Sequence, residues 1–183
     1  MRAQVALQFY SEGRAPSVLL SMTAGDAHYF ASRSWPLGEK QSENARELLL
    51  HLPPKVHVFV HLHAAQIAVF FVRLGSLGTW GEVRGLRHWL QDHPQVASIL
   101  VISTAPHLRR VRLCCRAVLP PSIRVSLCAV PAYLFWDRQK WWVLRRTRVA
   151  VLSEFPKLVV YWFLAHFSFA RTCNVILEPV RYD

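Results

Sequence analysis

The chain has 183 residues, of which 52% are hydrophobic and 18% are charged, and its formal net charge is +11 at pH 7. The high apolar share excludes a disordered chain, and the length is sufficient for one domain with a sizeable core. The positive charge favours acidic partners, such as phosphate-bearing ligands, nucleic acid or an anionic membrane face, without deciding among them.

Apolar periodicity and turn residues divide the chain into strands and helices. The predicted elements are a helix over 2–16, a strand over 17–22, an irregular loop over 23–41, a helix over 42–52, strands over 56–63 and 67–74, a helix over 79–94, a strand over 98–104, a helix over 106–119, a strand over 123–130, and a helical region from Trp136 to about Phe169 with a break at Pro156. This alternation predicts an α/β fold with a Rossmann-like, doubly wound and mainly parallel sheet. We expect a single domain over 1–183, in which 136–183 form a C-terminal helical region and tail.

The strand over 98–104 leads directly into the helix over 106–119. In doubly wound sheets, ligands bind beyond the carboxyl ends of the strands, where a helix N-terminus favours negative charge. Ser103 or Thr104 can cap the helix, and His107 and Arg110 lie beside one another on its first turn. We therefore expect His107 and Arg110 to hold an anion. The alternative is that both are solvated residues on a basic helix.

A second strand-to-helix junction lies in GSLGTWGEV, residues 75–83. Thr79 and Glu82 have the spacing of a capping box, which is a structural role. Ser76, Gly78 and Thr79 also follow a strand, so we expect them to line the same edge of the sheet. Capping and ligand contact are compatible roles for these residues.

Three segments carry a resemblance to a known family: RAQVALQFYSEGRAP, GTWGEVRGLRHWL and ILVISTAPHLRRVRL. The most specific piece is the strand that ends in Ser103 and Thr104 and is followed by His107 and Arg110. Over about residues 2–170 the chain resembles the YdcF-like family, also called SanA/ElyC-like proteins. The resemblance implies a Rossmann-like domain associated with bacterial envelope and peptidoglycan-precursor metabolism. It also implies S-adenosylmethionine as a cofactor, since binding of that molecule has been proposed for one branch.

Two features depart from the family pattern. The family begins with a strand and a glycine-rich loop before its first helix, whereas this sequence starts at Met1 inside that helix. We therefore expect the first strand and one wall of the site to be missing. In addition, Val83 and Arg84 follow Glu82, where the family usually has an asparagine.

Histidines and cysteines give no strong metal signal. His57, His61 and His63 fall on one face of a predicted strand, but no carboxylate or cysteine nearby completes a ligand set. We therefore expect no metal, and a half-exposed edge strand instead. The four cysteines form no C-x-x-C pair, which indicates reduced thiols in a cytosolic or cytosol-facing protein.

The segment WDRQKWWVLRRTR, residues 136–148, interleaves aromatic and basic residues. The pattern is typical of a helix packed by its tryptophans, and it is also compatible with contact with a membrane surface. We do not expect nucleic acid as a partner. The longest apolar run, 158–170, is shorter than the roughly 18 residues of a spanning segment, so no transmembrane helix is predicted. The expected location is the cytoplasm or the periphery of the cytoplasmic membrane.

The functional expectation is a domain that binds an anionic small molecule, either a nucleotide-like ligand or a phosphorylated lipid carrier, at the carboxyl edge of the sheet. The expected ligand-binding residues are Ser76, Gly78, Thr79, Glu82, Ser103, Thr104, His107 and Arg110. No catalytic residue is assigned, because no nucleophile elbow, P-loop or G-x-G-x-x-G motif is present in the sequence. The alternative is a non-catalytic, envelope-associated interaction protein that docks through the basic Trp/Arg segment.

Overall fold

The computed structural model describes residues 2–31, 39–52, 56–64, 66–73, 78–130, 141–167 and 177–180. The chain forms two compact units. Unit 1 consists of residues 1–5 and 77–173, and unit 2 consists of residues 6–76 and 174–183. The elements in chain order are α1 (Arg2–Ser11), β1 (Ser17–Thr23), α2 (Ala24–Ala31), α3 (Glu39–Leu50), β2 (Val56–His63), β3 (Gln66–Arg73), α4 (Gly78–Gln91), β4 (Ser98–Ser103), α5 (Ala105–Val118), β5 (Arg124–Ala129), α6 (Arg145–Leu152), α7 (Glu154–Phe167) and β6 (Leu177–Val180).

Unit 2 is built on an antiparallel sheet with the strand order β1-β2-β3-β6. β1 alternates between buried and more exposed residues, as expected for a strand with one face on the core. β2 is not the half-exposed edge strand expected from its histidines: it pairs on both sides and is buried along most of its length. Its sequence VHVFVHLH supplies the β-branched and aromatic residues that such a strand needs. The helices α2 and α3 belong to the same unit.

Unit 1 is built on a parallel pair of strands joined by a helix. β4 pairs with β5 in parallel, from Ser98 opposite Arg124 to Ser103 opposite Ala129. α5 connects the two strands and packs against β5, α4 and α7. Its buried residues share one face of the helix, and they are Val111, Cys114, Cys115 and Val118. α4 adds Trp80, Val83, Trp89 and Leu90 to the core, and α7 adds Tyr161.

The structure confirms the α/β class but corrects the expected sheet. Only β4 and β5 run parallel among the described strands, and the four-stranded sheet is antiparallel. The reason lies in the connection between β2 and β3, which leaves only residues 64 and 65 between the strands. Parallel neighbours need a crossover of about a dozen residues, so this short link forces a hairpin. The described strands therefore do not form a mainly parallel, doubly wound sheet.

Three local expectations also change. The loop predicted over 23–41 contains the helix α2, which Thr23 caps: the Asp26 N–H donates to Thr23 Oγ1 at 3.2 Å, and that hydroxyl donates to Asp26 Oδ2 at 2.8 Å. The helical region expected from Trp136 lies outside the described residues up to 140, and residues 141–144 form a turn instead of a helix. The break predicted at Pro156 falls between α6 and α7, because proline is tolerated in the first turn of a helix.

Candidate functional site

The predicted junction between β4 and α5 is present in unit 1. β4 ends at Ser103, Thr104 is the N-cap residue of α5, and Pro106 lies in its first turn. Neither predicted cap is formed by a side chain: Thr104 makes no capping hydrogen bond, and the Ser103 hydroxyl has no hydrogen-bond partner among the described residues. Ser103 is only 3% exposed. A buried hydroxyl without a partner costs about 1–3 kcal/mol, so this junction is not optimised for stability alone.

Arg110 faces a buried carboxylate that comes from α7. Its Nε lies 3.2 Å from Glu154 Oε2, and its Nη2 donates to Glu154 Oε1 at 3.4 Å. The two side chains are 12% and 14% exposed. Lys157, whose side chain is 45% exposed, donates from Nζ to the same Oε1 at 3.1 Å. The guanidinium on which the anion prediction depends is therefore already paired with an internal anion.

The contact between Arg110 Nε and Glu154 Oε2 is close but poorly aligned. Both atoms are buried, and neither has a hydrogen-bond partner within the described part of the chain. The approach at 3.2 Å is thus an electrostatic pairing without a well-formed hydrogen bond. Arg110 Nε is therefore, among the described residues, a donor without an acceptor, and a phosphate oxygen is one kind of acceptor that such a donor can bind.

His107 is held as a neutral imidazole. Arg110 Nη2 donates to His107 Nδ1 at 2.5 Å, so Nδ1 is the acceptor and the ring proton is on Nε2. Burial, followed by the positive charge of Arg110, lowers the pKa of His107 to about 4. The 3.6 Å distance from Nδ1 to Glu154 Oε2 therefore joins two acceptors and is not an ion pair at neutral pH. Nε2 is therefore the ring nitrogen of His107 that carries the proton and can donate a hydrogen bond.

The second predicted junction supplies Gly78, Thr79 and Glu82 from α4, whereas Ser76 lies outside the described residues. α4 begins at Gly78, so Thr79 lies inside the helix and not at the N-cap of a capping box. Thr79 is buried. Burial raises the pKa of Glu82, while the positive charges of Arg2 and then Arg110 oppose this rise. Glu82 and Arg110 lie on α4 and α5, two helices of unit 1 that pack against each other.

Tyr161 of α7 connects these residues. The Arg110 guanidinium carbon lies 5.3 Å from the centroid of its ring, and the centroid of Trp80 lies 6.5 Å from the same ring. A Cβ atom on Gly78 would lie 3.7 Å from the Tyr161 hydroxyl, which is ordinary van der Waals contact. The structure therefore gathers parts of both predicted junctions around one buried tyrosine that the sequence analysis did not select.

A groove of about 370 Å³ opens beside the first turn of α5. Its lining residues come from α5, α6, α7 and the turn before α6, and they are Ala105, Pro106, Arg109, Trp141, Val151, Glu154, Phe155 and Leu158. Most of this lining is apolar, and the charged side chains in it are Arg109 and Glu154. Such a groove fits a ligand with a hydrocarbon part and one anionic group better than a ligand that is polar throughout.

Sequence reasoning missed Glu154 as a partner of Arg110, although one signal was available. Glu154 is the single acidic residue in 141–167, a segment that is otherwise apolar and basic. A lone carboxylate in such a segment is typically buried against a cation, because charged groups are rarely buried without a partner.

The thiols of α5 are not suited to act as nucleophiles. Burial raises the pKa of Cys114 to about 12, with a further contribution from Cys115, and burial raises the pKa of Cys115 to about 11. A thiol with such a pKa is almost entirely protonated at neutral pH and reacts slowly. Both cysteines therefore act as small apolar core residues.

The described residues include no group of three or more His, Cys, Asp or Glu side chains that could hold a metal ion. Of the three histidines on β2, His57 is buried and its Nε2 lies 2.6 Å from Ser21 Oγ. The lining of the groove does not fit S-adenosylmethionine, whose ribose and cationic sulfonium need free carboxylate or carbonyl partners. The carboxylate in the groove, Glu154, is already paired with Arg110 and Lys157.

No family model, no curated protein and no solved structure matches this chain. The basis for a functional proposal is therefore the geometry of unit 1.

Proposed function

We propose that unit 1 binds a phosphorylated lipid carrier, or a smaller anionic molecule with an apolar part, beside the first turn of α5. The observation that carries this proposal is the mainly apolar groove of about 370 Å³ at this position. A hydrocarbon chain suits the lining, while Arg109 and the N-terminal end of α5 favour a phosphate. A nucleotide-like ligand is polar over most of its surface and suits the groove less well.

Arg110 is the main anion contact in this proposal, and His107 assists it through its Nε2–H. Neither residue lines the groove itself; Arg110 is connected to it through its pairing with Glu154, which does. Glu154 lines the groove and pairs with Arg110, so a phosphate that reaches Arg110 would have to replace this carboxylate, and the unsatisfied Arg110 Nε supports such an exchange. Binding would therefore separate Glu154 from Arg110, while Lys157 keeps the displaced carboxylate neutralised. No catalytic residue is part of the proposal.

The same proposal takes the chain as a YdcF-like domain in bacterial envelope biogenesis, located in the cytoplasm or at the periphery of the cytoplasmic membrane. The β4-α5-β5 segment supports this assignment, because a parallel pair joined by a helix is the repeating element of a doubly wound sheet. The helix N-terminus at the carboxyl end of β4 is the position at which such sheets bind ligands.

The test is calorimetric titration in non-ionic detergent with a polyprenyl phosphate, the matching polyprenyl alcohol and a nucleoside monophosphate. A charge-assisted hydrogen bond is worth about 1.5–3 kcal/mol, so Arg110→Ala should weaken phosphate binding roughly 10- to 100-fold. Arg116→Ala is the matched control, because Arg116 lies exposed near the other end of α5. Arg109→Ala tests whether the groove contributes to phosphate binding, and it leaves the buried pair of Arg110 and Glu154 intact.

Three outcomes would reject the proposal. Equal losses for Arg110→Ala and Arg116→Ala would indicate diffuse attraction to a basic surface. Equal binding of the phosphate and the alcohol would show that the anion is not recognised. Stronger binding of the nucleotide than of the prenyl phosphate would show that the apolar groove does not select the ligand.

A further inference from the structure

The segment 141–167 exposes an unusual amount of apolar surface. Each of its large exposed hydrophobic side chains is between 48% and 73% accessible, and they are Trp142, Val143, Leu144, Val149, Leu152, Phe155, Val159, Val160, Trp162, Phe163 and Phe167. By length and composition alone, Thr147–Phe167 is long and apolar enough to cross a membrane, and only 6% of its apolar window is buried. The apolar run 158–170 considered in the sequence analysis is shorter than the roughly 18 residues that a membrane-spanning helix needs. Apolar surface of this kind and extent marks an interaction site.

α7 differs from a surface helix in a soluble domain, because it is apolar on both of its sides. Its inward side carries Glu154 and the buried Tyr161, both of which contact Arg110 of α5. Its outward side carries Phe155, Val159 and Phe163, which follow one another at intervals of four residues and so share a face. In a soluble domain the apolar stripe would face the core and the charged residues would face water. The inward side of α7, which includes Leu158 and Leu164, packs against described residues, whereas the apolar side chains of its outward side are about half exposed.

Charge decides which partner suits this face. α6 begins with Arg145, and Arg148 lies one turn further; both are exposed. The carboxylate of this segment, Glu154, is turned inward, so the outward side combines apolar and basic groups. This combination complements an anionic lipid surface, in which acyl chains take up apolar side chains and headgroups pair with arginine. Exposed tryptophans, here Trp142 and Trp162, suit the boundary between the two regions.

We propose that α6 and α7 dock on the surface of an anionic membrane, with Phe155, Val159 and Phe163 among the acyl chains and Arg145 and Arg148 at the headgroups. The helices lie along the surface and do not cross it, because the inward side of α7 remains packed on α5. This docking surface adjoins the proposed ligand site, with which it shares Phe155, but docking requires no bound ligand.

The test is flotation of the full chain with vesicles of phosphatidylcholine alone or with 30% phosphatidylglycerol, after dilution from detergent. The vesicles contain no prenyl phosphate, so failure of docking is distinguishable from failure of the ligand site. Val159→Glu with Phe163→Glu should lower partitioning at least 10-fold on both kinds of vesicle. Arg145→Gln with Arg148→Gln should lower it roughly 5-fold per arginine, and only on the anionic vesicles.

Leu50→Glu is the matched control, since Leu50 is 49% exposed at the end of α3 in unit 2 and should bind as the wild type does. Circular dichroism checks that each variant folds. Undiminished binding by the Val159/Phe163 double variant would overturn the proposal. So would resistance of the bound wild type to alkaline carbonate, which would indicate a spanning helix. A stable oligomer that ignores both kinds of vesicle would assign the face to a second copy of the chain.

Discussion

Replacing Glu154 by glutamine removes the carboxylate that faces Arg110 across the contact between α5 and α7. At the observed 3.2 Å, two unit charges in an effective dielectric of 20 attract by about 5 kcal/mol. The variant loses this attraction and leaves a guanidinium that is 12% exposed without its partner. Because breaking a buried pair typically costs about 3–5 kcal/mol, Glu154→Gln should lower the free energy of unfolding of unit 1 by that amount.

Lys157→Met provides the contrast within the same network. Lys157 donates to the same carboxylate, but its side chain is 45% exposed, and solvent screens such a pair. An exposed ion pair is worth at most about 1 kcal/mol, so this variant should change stability little. The double variant Arg110→Met with Glu154→Leu should regain much of the lost stability, because it removes both buried charges together.

Urea unfolding in non-ionic detergent, followed by tryptophan fluorescence, measures these differences. Six of the seven tryptophans lie in 77–173, so the signal reports mainly on unit 1. A loss below about 1 kcal/mol for Glu154→Gln, or an equal loss for Lys157→Met, would refute the assignment of a buried pair.

Two further results are expected. Burial lowers the pKa of His57 from 6.5 to about 4 in the folded protein, so its contribution to stability is complete above pH 6.5 and is lost as the pH falls to 4. The loss should approach about 3 kcal/mol over that range. Because the pKa of His107 is also lowered to about 4, His57→Gln should reduce the pH dependence of stability without abolishing it, whereas His63→Gln, at an exposed position, should leave it unchanged. At pH 8 a thiol reagent should label Cys128 in the folded protein well before Cys114 and Cys115, which are buried and whose pKa values are raised to about 12 and 11. Equal labelling rates for the three would contradict their burial.

The local pattern of apolar residues was sufficient to predict most of the strands and helices. The strands expected over 17–22, 67–74, 98–104 and 123–130 occur as β1, β3, β4 and β5, and the helices around 79–94 and 106–119 occur as α4 and α5. These segments have strong apolar periodicity, and tertiary contacts reinforce what the periodicity favours. α2 was missed, although Thr23 and Asp26 have the spacing of an N-terminal cap.

The direction of the strands and the contact partners of the site residues were harder to predict from the sequence. The antiparallel pairing of β2 with β3 could have been inferred from the two-residue link, whereas the pairing of β3 with β6 joins segments that are about 100 residues apart. The contact of Arg110 with Glu154 spans 44 residues and depends on how α7 packs on α5. No local pattern encodes such a distance, which is why the sequence predicted a free guanidinium and the structure shows a paired one.

The position of Pro156 in the first turn of α7 has a consequence for the backbone of this segment. Proline has no N–H, so the carbonyl of Leu152, four residues earlier, cannot receive the hydrogen bond that would join α6 to α7 in one continuous ladder. In the hydrocarbon core of a bilayer an unsatisfied carbonyl costs several kcal/mol, whereas water supplies a donor at the level of the headgroups. The Leu152 carbonyl therefore favours a position of the α6–α7 junction at the headgroup level of the membrane, where water is still present.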